Sequence, residues 1–133
     1  MTKQNSEADS DIIFIYSRSE AISDGLQRPV SEVAREAGIR YPTFITQGVY
    51  DQFVTVPPGV VGQDEPGRLW DVVWMLAYAI QQTDGTSNRL SFQLYVRNSN
   101  DEEPALVTLH ALCGPLDFDD PQPAITILLP GED

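Results

Sequence analysis

Residues 90–96 read LSFQLYV. Leu90, Phe92, Leu94 and Val96 alternate with Ser91, Gln93 and Tyr95. A period of two puts every aliphatic side chain, and Phe92 with them, on one face of an extended chain, so the segment is predicted to be a half-buried strand. Just upstream, residues 68–82 (RLWDVVWMLAYAIQQ) follow a different period. Leu69, Val73, Leu76 and Ile80 recur at helical spacing, Val72 and Trp74 widen the stripe, and Arg68 and Asp71 are expected toward the other face. Asp64-Glu65-Pro66-Gly67 supplies an acidic cap with proline near the first turn, and Thr83-Asp84-Gly85 ends the helix. A helix whose stripe needs covering, followed at once by a strand with one apolar face, predicts that the two pack together.

The pattern extends in both directions. Downstream, Ala105–Cys113 (ALVTLHALC) is a predicted second strand, antiparallel to the first across the loop Asn98–Glu103. Gly114–Pro123 is a turn-rich acidic loop, and Ala124–Leu129 (AITILL) is a third strand. Upstream, Ser17-Arg18-Ser19-Glu20 fits a capping box, with Gly25 closing a short helix. Gln27–Val30 reads as a connector. Ser31 is expected to cap SEVAREAG, where Val33 and Ala37 share a face and Gly38 ends the turn. Phe44, Ile45, Val49 and Phe53 recur at helical spacing, which predicts helix over 43–53. The apolar run Asp11–Tyr16 (DIIFIY) has strand character, and residues 1–10 are polar enough to be disordered. The expected architecture is α+β: one domain over residues 11–133, with N-terminal helices packed on one face of a small C-terminal antiparallel sheet of three strands, or four with Ile12–Tyr16.

Composition bounds the function. The chain has 133 residues, is 41% hydrophobic and carries a net charge of −12. That is enough apolar matter for a real core, and too much negative charge for non-specific binding to nucleic acid or to an anionic membrane. Lys3 is the one lysine beside seven arginines, a skew that a GC-rich genome or a salt-adapted host would also produce. One cysteine excludes an intrachain disulfide and fits a reducing, cytoplasmic setting. The polar start lacks a signal peptide's apolar core, and Val72–Ile80 is far too short to span a bilayer.

Three blocks, YSRSEAISDG at 16–25, GRLWDVVWMLAYA at 67–79 and ITILLPGED at 125–133, resemble a family of small uncharacterised bacterial proteins. Its members are commonly carried on plasmids, integrative elements and phages. The resemblance runs from about Ile12 to Asp133. It implies a mobile-element accessory protein, and brings no activity, cofactor or catalytic residue with it.

The distribution of charge suggests where such a protein would act. Arg97 is the last basic residue, and eight carboxylates follow it: Asp101, Glu102, Glu103, Asp117, Asp119, Asp120, Glu132 and Asp133. The leading expectation is a non-catalytic module whose acidic face docks on a basic protein surface, with a nucleic-acid mimic that inhibits host defence as one form of it. Its contact residues would be Asp101, Glu102, Glu103, Asp117, Asp119 and Asp120. A solvated surface explains the same charges. A second reading gathers Arg18, Tyr50, Arg68, Trp70, Asp71 and Trp74 around a small-molecule or catalytic pocket beside the long helix. Core packing of the two tryptophans and a surface Arg68–Asp71 pair is the plainer account of that helix. A third reading is a homodimer through an exposed edge strand at Ala124–Leu129. The single histidine, His110, lies on the opposite strand face from Cys113, so a local dyad is not expected. No metal site or cofactor is expected. One Cys and one His do not make a zinc site, and Asp117–Asp120 lacks the glycine and terminal glutamate of a calcium loop.

Overall fold

The computed structural model describes residues 16–133. The fold is α+β, a five-stranded sheet with helices. In chain order the elements are α1 (Arg18–Ser23), β1 (Gln27–Pro29), α2 (Ser31–Glu36), β2 (Thr43–Thr46), α3 (Gln47–Val49), α4 (Glu65–Gln82), β3 (Arg89–Val96), β4 (Ala105–Asp117) and β5 (Asp120–Leu128). The spatial order is β1-β2-β5-β4-β3. Every neighbouring pair is antiparallel except β2 and β5, which run parallel.

Local chemistry explains the expected elements. Both halves of the α1 capping box form: Glu20 N–H donates to Ser17 Oγ at 3.1 Å, and Ser17 N–H donates to Glu20 Oε1 at 3.1 Å. Asp64 Oδ1 accepts the Gly67 N–H at 2.7 Å and starts α4 with proline in its first turn. Ser31 does not cap α2. Val30 holds the cap position, and Ser31 Oγ instead accepts from the Thr43 N–H at 3.0 Å, tying α2 to β2.

Two expectations are corrected. Residues 43–46 are a strand, with helix beginning only at Gln47, and Gln27–Pro29 is a strand instead of a connector. All four residues of β2 are buried, because both faces of the sheet are covered there. Burial on both faces erases the alternation that marks a strand, and a short buried run has no diagnostic period. The helix then runs into a π-helical turn at Tyr50–Val54, closed by a Thr55 N–H bond to Tyr50 O at 2.8 Å. The expected strand at Ile12–Tyr16 and the stretch 1–10 fall outside the described residues, apart from Tyr16.

β5 is central, between β2 and β4. The homodimer edge expected at Ala124–Leu129 is therefore not available, since both of that strand's sides are already paired. The main core lies between the sheet and α4. Ile45, Leu94, Leu109 and Ile127 on the sheet meet Val72, Val73 and Leu76 on the helix, with Ala34 of α2 and Val49 of α3 closing the end. Each buried Val, Leu or Ile among them contributes about 1.5–3 kcal/mol over its exposed state. The second face carries Phe44, Thr126 and Leu128, covered by α1 and by the C-terminal turn.

Candidate functional site

The sheet has two edges of different character. β1 is three residues long and contains Pro29, so it is a blunted edge. β3 is eight residues long and has no proline, lysine or bulge; among the described strands it pairs only with β4. The Cys113 N–H donates to Asn88 O at 2.8 Å, so residue 88 is in a hydrogen-bonded pair with β4. Bonding alternates along an antiparallel ladder, so even-numbered residues of β3 bond to β4. The N–H and C=O groups of Arg89, Ser91, Gln93 and Tyr95 point outward.

Apolar surface borders this free edge. Trp74 and Tyr78 of α4 are 50% and 54% exposed, and Tyr95 and Leu106 on the other side are 67% and 51% exposed. With Asp71 and Met75 they line an open groove of about 960 Å³ along β3. Trp70 stacks on Trp74 with ring centroids 5.6 Å apart and holds it in place. Expected core packing is thus half right: Trp70 is half-buried against the core, whereas Trp74 lies exposed beside the unpaired strand.

Arg68 sets the height of α4 over this edge. It is only 5% exposed, not on the wetted side as expected. Nε donates to Phe53 O at 3.1 Å, Nη1 to Gln63 Oε1 at 3.0 Å and Arg97 O at 2.9 Å, and Nη2 to Asn98 Oδ1 at 2.7 Å. One guanidinium fork therefore joins the first turn of α4, the π turn and the end of β3. The expected surface ion pair with Asp71 does not form within 4 Å among the described residues. Burial lowers the Arg68 pKa and nearby Asp71 partly restores it; the group stays a cation at neutral pH.

The other residues of the expected pocket disperse. Arg18 lies on the opposite face of the sheet. Its guanidinium sits 4.2 Å from the centre of the Phe44 ring and donates to Leu116 O, Gln27 Oε1 and Thr126 Oγ1. Burial lowers its pKa, against the pull of Asp117. Tyr50 donates to Glu65 Oε1 at 2.7 Å, which raises its pKa, and its ring lies under Arg28. Arg68, Trp70 and Asp71 share only a shallow depression at the start of α4. Arg18, Tyr50 and Arg68 do not converge on one cavity.

The acidic residues do not form one face either. Asp101, Glu102 and Glu103 precede β4, while Asp117, Asp119 and Asp120 surround its far end. The 13 residues of β4 separate the two groups by roughly 40 Å. Asp117 is internal machinery: its carboxylate accepts the Arg18 and Ser19 N–H groups at 2.8 and 3.1 Å, and these bonds hold its pKa below the usual carboxylate range. Glu132 accepts from Leu129 N and Thr46 Oγ1. Asp133 contacts Arg89 and lies 3.0 Å from His110 Nδ1. Asp101, Glu102, Glu103 and Asp119 remain as exposed carboxylates.

Sequence reasoning missed the Asp133–His110 contact, because the partners are 23 residues apart and no local spacing signals it. It also missed Tyr78, Tyr95 and Leu106 as groove residues. Among the described residues, no group of three or more His, Cys, Asp or Glu side chains is arranged to hold a metal ion. None of the described helices is long and apolar enough to cross a membrane. No family model, no curated protein and no solved structure matches this chain.

Proposed function

We propose that this chain is a non-catalytic protein-interaction subunit that works by strand addition along β3, and that the strand it adds is β3 of a second copy. The observation that carries this reading is the eight-residue edge that only β4 pairs among the described strands, bordered by exposed aromatic side chains. The strand is also complementary to itself. Outward groups sit on odd-numbered residues, so a two-fold pairing must match odd with odd. Centring the dyad on Phe92 sets Arg89 against Tyr95 of the second copy and Ser91 against its Gln93. That register pairs cation with aromatic ring and polar with polar. Moving the dyad to Gln93 would set Arg89 against Arg97, two like charges.

A net charge of −12 on each copy opposes association at long range. Added salt screens that repulsion, so self-pairing should strengthen as salt rises. Docking of the acidic loops on a basic partner would weaken instead. That docking is kept as a second proposal on one observation, the exposed run Asp101-Glu102-Glu103 in the loop that leaves β3. The mobile-element setting is a proposal resting on the three sequence blocks alone.

The test is solution mass by sedimentation equilibrium on the full chain and on Gln93→Pro. Proline there removes an outward N–H and leaves the β4 ladder intact. The expected result is twice 14.8 kDa for the parent chain and 14.8 kDa for the variant, with matching circular dichroism. A parent chain that stays at 14.8 kDa at every salt and protein concentration overturns the proposal.

A further inference from the structure

A second cavity, of about 530 Å³, opens between the C-terminal half of α4, the sheet and the loop after α2. Its floor is apolar: half-buried Ile80, Leu90 and Cys113 face it, backed by the buried side chains of Ile39, Leu76 and Ile125. Its volume lies within the range of small-molecule sites. The charge of the lining is what distinguishes it. The chain has 20 carboxylates against eight basic residues, yet among the described residues no Asp or Glu lines this cavity, whereas Arg40 and Arg89 both do. The β3 groove and the depression near Arg68 both include Asp71.

We infer that this cavity is a binding site for a small amphipathic anion, an apolar chain ending in a carboxylate. The chain would lie over Ile80, Leu90 and Cys113, which are only half-buried, and the head group would meet Arg40 at the opening. Arg40 is exposed and has no carboxylate within 4 Å among the described residues. Arg89 borders the cavity too, but its guanidinium is paired with Asp133, which also contacts His110 on the opposite face of the sheet, so Arg40 is the cation that faces the opening. The net charge of −12 repels anions at long range, so an opening that presents Arg40, with no lining carboxylate among the described residues, is a local exception to the surface around it. A cation would meet Arg40 there, unpaired among the described residues, and an uncharged chain would gain burial alone.

The test uses decanoate, decan-1-ol and decylammonium, each kept below its micelle threshold. Cys113 is the chain's one cysteine and lines the floor, so its rate of alkylation by iodoacetamide reports occupancy. Decanoate is expected to slow alkylation saturably and to bind at least about tenfold more tightly than decan-1-ol, the scale of one charge-assisted bond. Arg40→Gln should remove that tenfold preference and leave decan-1-ol unchanged, with circular dichroism confirming the fold. Four outcomes each overturn the inference: no saturable protection by decanoate, equal binding of the alcohol, tighter binding of the ammonium, or an Arg40→Gln variant that binds decanoate like the parent.

Discussion

Replacing Arg68 by methionine tests how the groove is held. The change keeps most of the buried stem and deletes the fork. Four acceptors lose their donor: Phe53 O, Arg97 O, Gln63 Oε1 and Asn98 Oδ1. Phe53 and Arg97 are half-buried, so water reaches their carbonyls only in part, and each loss costs about 1 kcal/mol, the low end for an unsatisfied group. The two side-chain amides are more accessible and add about 0.5 kcal/mol each. Removing a buried cation returns about 1 kcal/mol of desolvation. The net loss is about 2 kcal/mol. For 133 residues that lowers Tm by about 7 °C, at about 2.1 cal/mol/K of unfolding entropy per residue. Thermal and urea unfolding followed by circular dichroism measure it. Amide exchange should also quicken near Val96, because the fork anchors that end of β3. Arg68→Lys should lose nearly as much, since one ammonium cannot reach acceptors on three separate segments. An unchanged Tm in Arg68→Met would refute the reasoning, and full rescue by lysine would refute the role of the fork.

Three further outcomes follow from the same contacts. Asp117→Asn should destabilise the protein at neutral pH. Because the folded pKa of Asp117 is depressed, its contribution is present above the unfolded value of about 3.9 and is lost as pH falls through the folded value. Parent and variant should therefore converge below that range in acid unfolding curves, and a gap that persists there would count against the assignment. Gly48→Ala places a Cβ 2.9 Å from Leu129 Cδ1 and 3.0 Å from Glu132 Oε2. Both are ends of flexible side chains that can give way, so the cost of moving them should roughly cancel the gain in helix propensity, with a net change within about 0.5 kcal/mol in urea unfolding. Leu109→Ala, at a fully buried position on β4, should cost about 2–5 kcal/mol by the same measurement.

Some of this could be read directly from the residues. α4, β3 and the α1 capping box follow from short-range spacing, and each forms where it was expected. Elements buried on one face keep their period, which is why residues 90–96 read so plainly. β2 was misread because burial on both faces removed the period. Arg68 was misplaced because charge predicts exposure, and only nearby carbonyls from two other segments make its burial tolerable. The acidic residues looked like one feature because they follow one another in sequence, yet a 13-residue strand carries them to opposite ends of the molecule.

Period, caps and net charge are local or additive properties, so the chain determines them without reference to its fold. It therefore determined the α+β class, the long amphipathic helix and the negative surface by itself. Strand order is neither local nor additive. The insertion of β5 between β2 and β4 left β3 on the edge. That single choice exposed Trp74 and Tyr78 beside backbone that no second described strand pairs, and sent Asp133 to His110. Such pairings join residues far apart in the chain, and only the closing of the whole sheet decides which of them form.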